Sequence, residues 1–87
     1  MPQRFAYLYF MADEPERVGT TAPLHAAYWR ELQQADYAGG PFADRSGGLI
    51  TFTAADIEEA EAAVRSDPFI TEGLITDRWL KRWEAKS

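Results

Sequence analysis

Gly39-Gly40-Pro41-Phe42-Ala43-Asp44-Arg45-Ser46-Gly47-Gly48 divides this chain in two. Glycine suits the position just past a helix end and proline cannot continue a helix, so Gly39-Gly40-Pro41 stops whatever helix precedes it. Residues 42–46 then read as a short second strand, Gly47-Gly48 as a tight turn, and residues 49–53 as a third strand. Two glycines between two short strand-like runs are a hairpin signal.

Upstream, the helix runs from Ala22 or Pro23 to Ala38, with Pro23 tolerable in its first turn. Its apolar stripe is His25, Tyr28, Trp29, Leu32 and Ala35, at helical spacing, while Arg30, Glu31, Gln33 and Gln34 take the wet side. Before it, Asp13-Glu14-Pro15-Glu16 breaks a strand over residues 5–11 that is apolar at almost every position. Apolar groups on both parities mean a strand covered on both faces.

Downstream, Asp56 suits a helix N-cap, and Glu59 can reach back in a capping-box arrangement. Ile57, Ala60 and Val64 form the inner stripe of this second helix, which stops before Pro68 because proline pushes Asp67 out of helical geometry. Residues 74–83 make a fourth strand, again apolar on both parities. The order is β-α-β-β-α-β, an α+β ferredoxin-like split unit over a single domain, 1–87. Two helices cover one sheet face and nothing is left for the other. A second copy of the sheet closes it, which predicts a homodimer, a dimeric α+β barrel, with higher assembly left open. An interface of about 800 Å² per partner is enough.

Composition supports a small globular protein that gains from a partner. The chain has 87 residues, 46% of them hydrophobic and 14% aromatic. A domain this size buries only about 60% of its unfolded surface. The net charge of −5 gives no basic stripe for nucleic acid or an anionic membrane. Arg78, Lys81, Arg82 and Lys86 read as a solvated strand edge. Met1-Pro2-Gln3-Arg4 does not open a signal peptide, and no apolar run approaches a membrane span, so a cytoplasmic protein is expected. The absence of cysteine removes disulfides, thiolate nucleophiles and the usual zinc sites.

No GxSxG, GxGxxG, P-loop, HExxH or CxxC occurs, and with one histidine and no cysteine a metal site would need three carboxylates nearby, so no metal is expected. Proton chemistry near neutral pH falls to His25, the only histidine. Imidazole titrates near ~6.5 when unperturbed, and a carboxylate on one ring nitrogen fixes its tautomer. The competing reading is a helix histidine at the core edge. Asp67 sits at the end of the second helix, where the dipole disfavours a negative charge, although Asp-Pro is also a common turn starter. In this fold both helices pack on one sheet face, which lets the two residues meet. Tyr7 and Tyr9 read as core or interface residues.

Helical His25, Gly39-Gly40-Pro41-Phe42 leading to Asp44 and Gly47-Gly48, the Glu59-Ala60 helix start, and Asp67-Pro68-Phe69 followed by Gly73-Leu74 stand in one order. In that order they resemble the YCII-related (YciI-like) family of the dimeric α+β barrel superfamily. The resemblance implies a His25–Asp67 dyad for cofactor-independent acid–base chemistry on a small organic molecule, of lyase, isomerase or dehydrohalogenase type. Phe42, Arg45, Ser46 and Phe69 are the candidate substrate-binding residues. The family pattern has a basic residue shortly before the histidine, where this chain has Ala22-Pro23-Leu24. Arg17 and Arg45 are the residues left to fill that role. Two alternatives compete: a dimeric module that binds a small ligand or partner without turnover, and a cofactor-free monooxygenase of the same barrel type.

Overall fold

In the computed structural model, which describes residues 2–32 and 37–86, the chain runs β1 (Gln3–Met11), α1 (Pro15–Leu32), β2 (Ala38–Pro41), β3 (Gly47–Ala54), α2 (Ile57–Arg65), α3 (Pro68–Thr71) and β4 (Ile75–Arg82). The sheet order is β2-β3-β1-β4, with every neighbouring pair antiparallel. This is the expected α+β, β-α-β-β-α-β arrangement, with the short helix α3 added before the last strand.

Alternation along β1 assigns its two faces. Phe5, Tyr7 and Tyr9 are buried, and they join Ile50, Phe52, Trp29, Val64, Phe69 and Leu74 in the core beneath the helices. The opposite face carries Leu8, whose register partners are Leu49 on β3 and Trp79 on β4. That row stays open: Leu49 is 38% and Trp79 48% exposed. Phe10 lies beside it, with Phe42 and Trp79 against its ring. No helix among the described residues is long and apolar enough to cross a membrane.

Several boundaries differ from expectation. Helix α1 starts at Pro15, not near Pro23. Asp13-Glu14-Pro15-Glu16 is a helix start rather than a break, because proline fits the first helical position. Pro23 is inside the helix, on its exposed side. Ala38 belongs to β2, and Ala35 lies outside the described residues. Leu32 and Ile57 leave their predicted stripes, at 45% and 51% exposure, whereas Trp29, Ala60 and Val64 are fully buried.

The hairpin is also placed differently. Strand β2 covers Ala38–Pro41, and residues 42–46 form the turn. Asp44 accepts from the Ser46 backbone N–H and hydroxyl, and Arg45 takes φ 65°. Gly47 and Gly48 lie in β3, opposite Phe10 and Tyr9. A Cβ on Gly47 would run into the Tyr9 carbonyl of β1, so these glycines permit close strand approach rather than a turn.

Candidate active site

Two helices converge on Asp67, and a strand meets the histidine it holds. Helix α2 ends at Arg65, and Asp67 then N-caps α3, accepting from the Phe69 N–H at 2.9 Å with Pro68 next in line. It sits at the start of a helix, not at the disfavoured end of one. Its side chain is fully buried. From α1, His25 Nδ1 lies 2.8 and 3.0 Å from the two carboxylate oxygens, and Trp29 Nε1 donates to Oδ2 at 3.0 Å. From β1, the Tyr9 hydroxyl lies 3.3 Å from His25 Nε2.

These contacts assign the histidine tautomer. The Phe69 and Trp29 N–H groups can only donate, so Asp67 serves as an acceptor to its surroundings. His25 therefore carries its proton on Nδ1, facing Asp67, and Nε2 keeps a lone pair toward Tyr9. The imidazole is held flat by Phe69, whose ring stacks on it with centroids 4.2 Å apart. Burial, with the Asp67 charge adding to it, pushes the Tyr9 hydroxyl well above its ordinary titration range. Tyr9 stays a neutral phenol.

The site opens on a cleft of about 360 Å³. Val18, Ala22, His25 and Ala26 line it from α1, Tyr9 and Met11 from β1, and Tyr37, Gly39, Gly40 and Pro41 from β2 and the residue before it. Phe69, Arg45 and Gly47 complete the wall. Among the described residues, Arg45 is the one guanidinium in that lining, carried there by the turn between β2 and β3. Such a small, mainly apolar space with a few polar groups suits a ligand of about one ring.

The other candidates lie apart. Phe42 packs on Phe10 and lines a separate groove on the far side of β2. Ser46 is tied to Asp44. Arg17 is bound to Glu14 at 2.9 Å and to the Glu72 carbonyl at 2.6 Å, pinning the start of α1 to the end of α3. Tyr9, Met11, Val18 and Tyr37 were not among the predicted site residues. For Tyr9 the available signal is Gly48, its register partner, since a Cβ there would lie 2.6 Å from Tyr9 Cζ. Among the described residues no three His, Asp or Glu side chains converge as metal ligands do.

Fold and site together define a class: a ferredoxin-like α+β domain whose helical histidine is locked to a buried carboxylate at the edge of a small apolar cleft. The signature of the YCII-related domain matches residues 5–84, and the chain belongs to that family. No curated protein matches the sequence. Among solved structures, the chain is similar to 5-chloro-2-hydroxyhydroquinone dehydrochlorinase (TftG) from Burkholderia phenoliruptrix AC1100, in complex with 2,5-dihydroxybenzoquinone. The two are 22% identical, superpose with a TM-score of 0.84, and the match covers 95% of each chain. At that identity the likeness is one of fold.

Proposed function

We propose that this chain is a homodimeric acid–base enzyme acting on a small hydroxylated ring, with His25 as general base and Asp67 as its orienting partner. The observation that carries the reading is the His25–Asp67 pair, 2.8 Å apart, buried, and aimed at a cleft. Asp67 fixes the tautomer and balances the imidazolium that forms when Nε2 takes a proton. Arg45 at the rim attracts and holds an oxyanion on the ring, which an otherwise acidic protein does not do. The reaction type follows the named activity of the structural neighbour. A ring hydroxyl loses its proton, the electron pair moves into the ring and the halogen-bearing carbon takes a proton; a second ring hydroxyl then loses its proton as halide leaves, so that HX is lost overall and a quinone remains. Dimerisation is supported by the open row of Leu8, Leu49 and Trp79, which a second sheet can cover.

The test is chloride release from 5-chloro-2-hydroxyhydroquinone under nitrogen, by the wild type and by His25→Ala. The wild type is expected to release chloride and His25→Ala to lose about 100-fold or more of the rate. Equal rates in the two proteins would remove His25 from the chemistry.

A further inference from the structure

We propose that Tyr9 is a catalytic residue of this site: its phenol passes its own proton to His25 Nε2 as its oxygen takes one from the substrate. The inference rests on the acid–base reading above and adds the group through which the pair meets its substrate.

Both nitrogens of the His25 ring are engaged, Nδ1 by Asp67 and Nε2 by the Tyr9 hydroxyl at 3.3 Å. Since Nδ1 carries the proton, Nε2 accepts and Tyr9 donates. One face of the imidazole is covered by Phe69 at 4.2 Å, and the Tyr9 ring meets it edge-on with centroids 5.5 Å apart. Tyr9 itself lines the cleft. His25 lines the cleft as well, and with Asp67 on Nδ1 its remaining lone pair, on Nε2, is the one the Tyr9 hydroxyl occupies. Gly48 holds this arrangement open, because any side chain there would collide with the Tyr9 hydroxyl.

The step balances without a further reactant. The substrate X–H bond breaks and a new Tyr9 O–H bond forms, while the original Tyr9 O–H breaks and Nε2–H forms. The phenol is regenerated, and the products are the substrate anion and an imidazolium beside Asp67. Burial and the Asp67 charge both penalise a phenolate, so the charge settles on His25 rather than on Tyr9.

Tyr9→Phe removes only the hydroxyl oxygen, and two readouts decide the matter. In the ¹⁵N spectrum of the His25 ring at mildly alkaline pH, the Nε2 resonance is expected to move toward that of a free lone pair while Nδ1 stays in place. An unmoved Nε2 would overturn the proposal. With 5-chloro-2-hydroxyhydroquinone as the probe, kcat is expected to fall by about 100-fold or more with KM nearly unchanged. A Tyr9→Phe enzyme that keeps its kcat while His25→Ala loses it would assign Tyr9 a merely structural role. A wild type that releases no chloride removes the acid–base reading on this substrate, and the Tyr9 step with it.

Discussion

His25 and Trp29 lie one turn apart on α1 and close on the same carboxylate, the imidazole on Oδ1 at 2.8 Å and the indole N–H on Oδ2 at 3.0 Å. One face of one helix thus sets the position of Asp67 and, through it, the orientation of the histidine. Trp29 is also the largest fully buried side chain, packed between Tyr7, Phe52 and Tyr37. Packing and site geometry are the same set of contacts here.

Trp29→Phe keeps an aromatic ring in the core and takes one donor from a fully buried carboxylate. The expected cost is about 2–3 kcal/mol, read as a lower urea midpoint. A loss below about 0.5 kcal/mol would mean the indole contributes nothing to holding Asp67.

Tyr7 and Tyr9 make the protein sensitive to alkali. Burial, then the Asp67 charge, raises both phenols above their unfolded value of 10.0. Below that pH folded and unfolded chains hold the same protons, and stability is complete. Above it the unfolded chain releases protons that the folded protein keeps, so stability falls as pH rises, by on the order of 1 kcal/mol per pH unit for each tyrosine. Melting temperatures between pH 8 and pH 11 read this slope directly (the pH limits are about two units below and one above the ordinary tyrosine value). Tyr7 Oη finds no hydrogen-bond partner among the described residues. Tyr7→Phe is therefore expected to cost nothing at neutral pH and to flatten the alkaline loss. A melting curve indifferent to alkali would contradict both statements.

Leu8→Glu places a charge in the middle of the Leu49–Leu8–Trp79 row. The wild type is expected to sediment at twice the 9.8 kDa chain mass and the variant at 9.8 kDa, with its helical circular dichroism retained. A monomeric wild type at micromolar concentration would remove the dimer.

The cap of α2 and the apolar strands were legible in the sequence, and the roles of the paired glycines were not. Asp56 caps α2 through the Glu59 N–H, as its spacing implies, and the Glu59 carboxylate reaches back to the Ala55 N–H. The apolar run of β1 lies in the strand it suggests, and that of residues 74–83 overlaps β4 with Leu74 and Trp83 just outside it. Gly47 and Gly48 look like a turn because their role depends on β1, 37 or more positions away, passing close beside them (Tyr9 and Phe10 are their partners). The actual turn is made by the Asp44 side chain and a left-handed Arg45, which carry no glycine signal. Helix α3 is a single turn, too short for periodicity to register, although Asp67-Pro68 is a cap followed by a first-position proline. Within the site, His25 stood out as the only histidine, whereas its pairing with Asp67 came from the resemblance to the family and not from residue type or position. Tyr9 did not stand out, since an aromatic residue in a buried strand carries no mark of the histidine it faces.

His25 is the only histidine in the chain, so one two-bond ¹H–¹⁵N spectrum reports its tautomer without ambiguity. With the proton held on Nδ1 by Asp67, the wild type is expected to show an N–H-type Nδ1 and a lone-pair-type Nε2, and Asp67→Asn to lose that preference. A wild-type ring protonated on Nε2, or a tautomer indifferent to Asp67, would contradict a base oriented by its carboxylate.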